Sequence, residues 1–204
     1  MNELAPEQML RLFIALPVPE SVKTEIERAQ NQLKLASPEH GIRWTKSEQF
    51  HVTLKFLGGV EAARVPTLIE SVRAGCRKLT KLELCAKGVG FFPHERKTRV
   101  FWVGTKDQAD RLSKLYEAVQ IATCEFATEN TAERFTGHIT LGRVKIMSKT
   151  AGQKLRALAA EMKDRPFGEW IGDHLEMVQS ELSPAGAHYT VLAKISLGAE
   201  LTTI

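Results

Sequence analysis

The chain has 204 residues, of which 43% are hydrophobic and 25% charged, the composition of an ordinary globular domain. Its 28 Lys and Arg against 24 Asp and Glu give a formal net charge of +4, which permits an anionic ligand but falls short of the basic stripe of a duplex-binding protein. The three cysteines, Cys76, Cys85 and Cys124, form no CxxC pair, so the sequence predicts buried free thiols rather than disulfides or a zinc site.

Residues 1–10 contain two glutamates and no long apolar run, which does not fit a signal peptide. No stretch approaches the roughly 18 apolar residues that a membrane span needs. We therefore expect a cytoplasmic protein that does not associate with membranes, with a monomer as the default state.

The first half of the chain predicts two strand–helix pairs after a loose start at residues 1–10. Short apolar runs indicate buried strands, and apolar residues at helical spacing indicate amphipathic helices. In order, the pattern predicts a strand at 11–16, a helix at 20–35, a strand at 50–57 that ends at Gly58-Gly59, and a helix at 65–76.

The second half predicts more strands and two further helices. Thr105 and Gln108 resemble a capping box at the start of the first of these helices. In order, the pattern predicts a strand at 82–90, a loop at 91–98, a strand at 99–104, a helix around 112–122, a strand at 138–141, a helix around 155–162, and strands at 175–182 and 189–197.

A weak internal repeat links the two halves. One strand–helix–strand unit ends in His51-Val-Thr-Leu, and a second ends in His138-Ile-Thr-Leu. Phe13 and Phe101 open the two units 88 positions apart, and the two histidines are 87 positions apart. The two His-x-Thr-Leu segments therefore occupy matching places in two similar units.

Strand geometry predicts which side chains of these segments act together. Side chains alternate between the faces of a strand, so His51 and Thr53 share one face, and His138 and Thr140 share one face. Two such pairs across a cleft would supply two imidazoles and two hydroxyls. A neutral imidazole can accept a proton from water while a protonated one donates to a leaving oxygen, and hydroxyls can donate hydrogen bonds to phosphate oxygens.

These segments resemble the paired motifs of the 2H phosphoesterase superfamily. The longer strings HVTLKFLG (51–58) and HITLGRV (138–144), the opening strand 11–19 and Trp44 resemble its RNA 2′,3′-cyclic phosphodiesterase branch, historically named 2′-5′ RNA ligase. The resemblance runs from about residue 11 to 197.

The resemblance implies an α+β, bilobal 2H phosphoesterase fold, with two pseudo-symmetric lobes of antiparallel sheet flanked by helices around a central cleft. It implies a single domain over 1–204 made of two intertwined lobes, with repeat units at about 11–58 and 99–144. It also implies metal-independent opening of the cyclic phosphate end of an RNA or nucleotide to a 2′-phosphate, without a cofactor.

Carried over residue by residue, the resemblance makes His51, Thr53, His138 and Thr140 the catalytic tetrad. His138 is taken as the base and His51 as the acid, although the near-symmetry of the motifs leaves the reverse assignment open. The chain departs from the family pattern at one position: the family often has Pro before the second histidine, where this chain has Gly137. The departure affects the expected orientation of the second strand, not the motif itself.

Three further residues are candidates for substrate binding. Arg143 matches a basic residue that commonly follows the second motif and contacts phosphate, although strand alternation puts it out of phase with His138. Phe56 matches an aromatic position that either stacks on a base or, by alternation, lies in the core. Tyr189 is a candidate for holding phosphate.

Two other functions remain open at this stage. The same acid–base pair working in reverse would make a 2′-5′ RNA ligase. A noncatalytic protein that binds RNA ends or nucleotides is the other alternative, although Arg or Lys would serve phosphate binding better than the two histidines do.

Overall fold

The computed structural model describes residues 8–36, 41–94, 98–127, 135–184 and 186–198. Within these ranges nine strands and four α-helices follow one another along the chain. Their bounds are β1 Met9–Pro17, α1 Glu20–Ala36, β2 Ile42–Trp44, β3 His51–Glu61, α2 Val65–Cys76, β4 Leu82–Phe92, β5 Val100–Asp107, α3 Arg111–Ala122, β6 His138–Val144, α4 Lys149–Glu161, β7 Pro166–Gly172, β8 His174–Ser183 and β9 Gly186–Ser196.

The nine strands form one antiparallel sheet in the order β7-β4-β5-β6-β3-β1-β8-β9, with β2 paired to β6. Strands β3 and β6 meet at one register pair, Val52 opposite Ile139. The sheet divides there into a first lobe of β1, β3, β8 and β9 and a second lobe of β2 and β4 to β7. This confirms the predicted α+β fold with two lobes of antiparallel sheet.

One face of the sheet packs against the helices and the other lines the cleft. In β1, Leu12, Ile14 and Leu16 lie in the main core with the apolar sides of the helices. Phe13 and Ala15 point the other way and belong to a separate cluster. This second side is called the cleft face below.

Strand β3 does not end at its two glycines as predicted. Gly58 has φ +73°, a left-handed conformation that glycine adopts without steric cost. The pairing with β1 shifts by one residue there, and the strand continues through Gly59 to Glu61. Because β3 is longer, β1 also begins earlier, and Met9 and Leu10 are paired rather than loose. The rest of the predicted loose start, residues 1–7, lies outside the described residues.

Each His-x-Thr-Leu segment contains a β-bulge at its leucine. Consecutive residues of β1 pair with positions 53 and 55, which leaves Leu54 as the extra residue. Consecutive residues of β5 pair with positions 140 and 142, which leaves Leu141 as the extra residue. A bulge shifts the alternation of the strand by one residue, so Phe56 and Arg143, beyond the bulges, turn to the cleft face.

The bulges also correct the spacing of the internal repeat. Ile14 lies opposite the residue after the first bulge, and Phe101 lies opposite the residue after the second. Ile14 is therefore the counterpart of Phe101, at the same 87-residue spacing as the histidines. The 88-residue match of Phe13 to Phe101 was one residue out of register.

Two glutamines bind the carbonyl groups of the bulged leucines. Gln30 of α1 is fully buried, and its side-chain amide donates to the carbonyl oxygens of Leu141 (2.8 Å) and Thr45 (2.7 Å). Gln120 of α3 donates in the same way to the carbonyl oxygen of Leu54 (3.1 Å). Helix α1, from the first half of the chain, thus stabilises the bulge at Leu141 in the second half, and helix α3, from the second half, stabilises the bulge at Leu54 in the first.

Replacing Gln30 with Met is expected to lower the free energy of unfolding by roughly 1–3 kcal/mol, because the Thr45 carbonyl loses the amide that donates to it and the buried Leu141 carbonyl keeps only the Thr45 N–H (2.9 Å). Urea unfolding measures the change. Gln32→Met, on the exposed side of the same helix, is the control and should change stability much less. Equal effects of the two substitutions would contradict the structural role of Gln30.

Other predicted boundaries needed correction. The capping box at Thr105 and Gln108 was wrong: Thr105 lies within β5, and the carboxylate of Asp107 accepts from the backbone N–H groups of Arg111 (2.7 Å) and Leu112 (3.1 Å) at the start of α3. The loop predicted at 91–98 starts two residues too early, since β4 extends to position 92; residues 95–97 of that loop lie outside the described residues. Strands β2 and β7 were not predicted.

The described cysteines are all free thiols, as predicted, but they are not all buried. Cys76 lies in the core, where burial raises the pKa of its thiol to about 11. Cys124 is exposed. Across the described ranges, the helices are all too short or too polar to cross a membrane.

Candidate active site

His51 is held in one orientation by hydrogen bonds to its own strand and the turn before it. It follows the 3₁₀ turn Ser47–Gln49 as the first residue of β3. Its Nδ1 lies 2.7 Å from the carbonyl oxygen of Gln49, and its Nε2 lies 2.9 Å from the Thr53 hydroxyl oxygen. Because a carbonyl only accepts, Nδ1 carries the proton. The basic Nε2 then accepts from Thr53.

His138 repeats the backbone contact of His51 in the second lobe. Its Nδ1 donates to the carbonyl oxygen of Thr136 at 2.8 Å, which leaves Nε2 as the basic nitrogen. Thr136 and Gln49 both stand two residues before their histidine. The same backbone contact therefore fixes the same tautomer at both sites.

The pairing of β3 with β6 brings the two motifs together. Val52 and Ile139, which lie opposite each other, are the second residues of their motifs, so the pair marks the pseudo-twofold centre. Both are fully buried, whereas all four His and Thr side chains of the motifs are half-buried. This confirms that each His shares a face with its Thr, and the antiparallel register sets the two pairs side by side.

Gly137 allows β6 to lie close to β5 just before His138. A Cβ atom at Gly137 would come within 2.6 Å of the carbonyl oxygen of Thr105, and the Gly137 carbonyl accepts from the Thr105 N–H at 2.9 Å. The glycine thus makes room for the pairing that positions His138.

Aromatic rings surround both imidazoles. Phe13 stacks on His51 with a centroid distance of 4.8 Å, and Tyr189 meets it edge-on at 5.7 Å. Phe92 lies edge-on to His138 at 4.9 Å. These rings restrict water around the imidazoles without offering charge to balance a proton.

Both histidines are neutral at pH 7 in the free protein. Burial lowers the pKa of His51 to about 4, with smaller contributions from the charges of His138, Lys23 and Arg143. Burial also lowers the pKa of His138, and Arg143 adds to that effect. In each case the hydrogen bond to the backbone carbonyl opposes the shift.

The low pKa of His51 predicts a loss of stability in acid. Between about pH 6.5 and pH 4 the unfolded chain binds a proton at His51 that the folded protein does not, so the free energy of unfolding falls as the pH falls, by up to about 3 kcal/mol from this group. Urea unfolding of wild type and His51→Gln at pH 7 and pH 4.5 measures it. The variant should lose less stability; parallel losses would contradict the low pKa.

The three predicted substrate-binding residues lie along one side of the cleft. Phe56 is 47% exposed, so the alternative that places it in the core is wrong. Arg143 is exposed, and both lie beyond the bulges at matching repeat positions. Together with Tyr189 they line a cavity of about 740 Å³.

The same cavity contains residues that the sequence did not single out. Arg11 of β1 and Arg43 of β2 line it, together with Gln49. Arg11 shares the face of Phe13 by simple alternation, so its position could have been read from β1. Arg43 lies on a strand of three residues, too short to give a period. In the described parts of the chain, no cluster of three or more His, Cys, Asp or Glu could hold a metal ion.

Comparison with known proteins gives consistent matches. Residues 16–102 match the family model of the LigT-like phosphoesterases. An RNA 2′,3′-cyclic phosphodiesterase of Thermotoga maritima is 34% identical over 185 residues, covering 90% of this chain and 93% of that protein. One of Methanocaldococcus jannaschii is 28% identical over 183 residues, covering 90% and 98%.

Solved structures share the fold. The protein TT0787 of Thermus thermophilus has a TM-score of 0.76 and 28% identity, and the match covers 94% of this chain and all of that one. The E. coli LigT structure with 3′-AMP has a TM-score of 0.72 at 21% identity, with the same coverage. The fold and the motifs thus define a LigT-like phosphoesterase of the 2H class. The chain belongs to the RNA 2′,3′-cyclic phosphodiesterase family.

Proposed function

We propose that this protein hydrolyses the 2′,3′-cyclic phosphate ends of RNA to 2′-phosphates, with His51 and His138 as the acid–base pair. The observation that carries the proposal is the matched pair of imidazoles: each donates Nδ1–H to a backbone carbonyl and keeps a basic Nε2, on strands that meet at Val52 and Ile139. The activity for which the relatives are named supports the same reaction.

In the proposed reaction, water attacks the phosphorus atom opposite the 3′ oxygen. Nε2 of His138 accepts a proton from the attacking water. The bond between phosphorus and the 3′ oxygen breaks, and His51, protonated at Nε2, donates that proton to the departing oxygen. The products are a 2′-phosphate and a 3′-hydroxyl group, and the two histidines exchange protonation states.

The neutral resting state of the histidines gives the bound substrate a second role. His51 must be protonated to act as the acid, yet burial holds its pKa at about 4 in the free protein. The negative charge of the cyclic phosphate favours the imidazolium form of a nearby histidine. Substrate binding therefore raises the pKa of His51, so that its imidazole takes up the proton that it later donates in the reaction.

Further side chains of the cleft bind the substrate in this proposal. Protonation of His51 at Nε2 releases the Thr53 hydroxyl from that nitrogen, and the hydroxyls of Thr53 and Thr140 then donate to the non-bridging oxygens of the phosphate, where charge builds in the transition state. The Arg143 guanidinium binds the same group, Phe56 stacks on the terminal base, and Tyr189 borders the phosphate beside His51. Every proton transfer is made by side chains, so the proposed reaction needs no metal ion or cofactor.

The test uses an RNA oligonucleotide with a 2′,3′-cyclic phosphate end, incubated in water enriched in ¹⁸O. Phosphorus NMR and mass spectrometry should show a 2′-phosphate with one ¹⁸O atom. A 3′-phosphate product would contradict the proposed direction of opening. Substrate that stays intact unless a 5′-hydroxyl strand is added, and is then joined to it, would point to the ligase; tight binding without turnover would point to a binding protein.

A further inference from the structure

The cavity beside the histidines holds three arginines that the proposed reaction does not fully use. Arg11, Arg43 and Arg143 all line the space of about 740 Å³ that borders the cleft. All three are exposed. Within the described residues no carboxylate forms an ion pair with any of them.

Two of these arginines face each other directly. Arg43 of β2 lies opposite Arg143 of β6 in the antiparallel pair. Like charges at such a position destabilise a sheet, and among the described residues neither guanidinium has an ion pair that would offset the repulsion. Anionic groups bound at the two guanidinium groups would offset the repulsion.

The position of the arginines relative to the histidines separates two anion subsites. Arg143 lies close enough to lower the pKa of both His51 and His138, so it serves the reacting phosphate. Arg43 is one strand further from the motifs. It extends towards the β8–β9 hairpin, where its guanidinium lies 3.5 Å from the place of a Cβ at Gly186.

The walls of the cavity suit a nucleotide chain rather than an isolated ion. Phe56 is exposed into it, and Trp44 and Tyr189 form other parts of the lining. Aromatic faces stack on bases without regard to sequence, while arginines follow the backbone of a single strand. The β8–β9 hairpin forms one side of the cavity and is held there by Gln49, whose side-chain amide donates to the carbonyl oxygen of Ala187 at 2.6 Å.

We propose that Arg43, with Arg11, binds the phosphodiester on the 5′ side of the terminal nucleotide, so that the protein prefers cyclic ends of RNA chains over cyclic mononucleotides. This inference rests on the proposed function. It adds a second phosphate subsite and a minimum substrate of two nucleotides.

The experiment compares kcat/KM for a cyclic-ended dinucleotide, for the matching 2′,3′-cyclic mononucleotide, and for the dinucleotide with a neutral methylphosphonate linkage. Wild type should prefer the charged dinucleotide by about tenfold or more, the gain expected from hydrogen bonds to a charged group, and the methylphosphonate should lose that gain. Arg43→Gln should bring the ratio of dinucleotide to mononucleotide close to one. Arg77→Gln, an equal change of charge at an exposed site on the helix side, should leave the ratio as in wild type.

The outcomes separate this inference from the proposed function. Equal turnover of dinucleotide and mononucleotide by wild type would overturn the second subsite while leaving the reaction intact. A preference that persists with the methylphosphonate or in Arg43→Gln would also overturn it, because the gain would then come from the second nucleoside. No turnover of any substrate would overturn the proposed function, and the subsite with it.

Discussion

His51→Ala and His138→Ala are each expected to lower kcat on a cyclic-ended oligonucleotide by about 10²-fold or more, the usual loss when a general acid or base is removed. The double variant should be little worse than either single one, because the two imidazoles act as a unit in one proton exchange. Steady-state kinetics at pH 7 measures the effect.

His188→Ala is the matched control, since His188 is exposed on β9 and lies outside both motifs. It should keep the wild-type kcat. Thermal unfolding of all variants shows whether they remain folded. Folded His51→Ala or His138→Ala protein with nearly full activity would contradict a role for that imidazole in proton transfer.

A substrate whose 3′ bridging oxygen is replaced by sulfur is expected to restore most of the activity of His51→Ala. A thiolate is a far weaker base than an alkoxide, so it departs without a proton, and loss of the acid then costs little. His138→Ala should stay about 10²-fold below wild type on this substrate, because the water still needs a base.

The ratio of oxygen to sulfur substrate therefore distinguishes the two histidines, although their surroundings are nearly symmetric. Rescue of His138→Ala instead would reverse the assignment of acid and base. If neither variant is rescued, proton transfer to the leaving oxygen is not the step that these histidines serve.

The sequence was sufficient to predict the face that each motif presents. Alternation along a strand puts His51 with Thr53 and Val52 on the opposite side, and burial follows that pattern. Local spacing also gave α1 and α2 almost to the residue. These features depend on neighbours in the chain, which a single sequence displays. The division into repeat units at 11–58 and 99–144 stays a prediction.

The sequence was not sufficient where a strand changes phase. The residues of HVTLKF and HITLGR do not by themselves indicate a bulge at Leu54 or Leu141, because the partners of the two bulged carbonyl groups are distant in the chain: Gln120 for Leu54, and Gln30 with the Thr45 N–H for Leu141. Alternation alone therefore put Phe56 in the core and Arg143 out of phase with His138, and only the family resemblance offered stacking on a base as the alternative for Phe56. The arginine pair of β2 and β6 was hidden for the same reason, since it depends on pairing across about 100 residues.

The most direct measurement is turnover of an oligonucleotide with a 2′,3′-cyclic phosphate end in the presence of EDTA, by wild type and by the two alanine variants. We predict that wild type forms the 2′-phosphate at an undiminished rate in EDTA, and that both variants are slower by about 10²-fold or more. Loss of wild-type activity in EDTA, or activity that neither substitution reduces, would contradict metal-independent catalysis by His51 and His138.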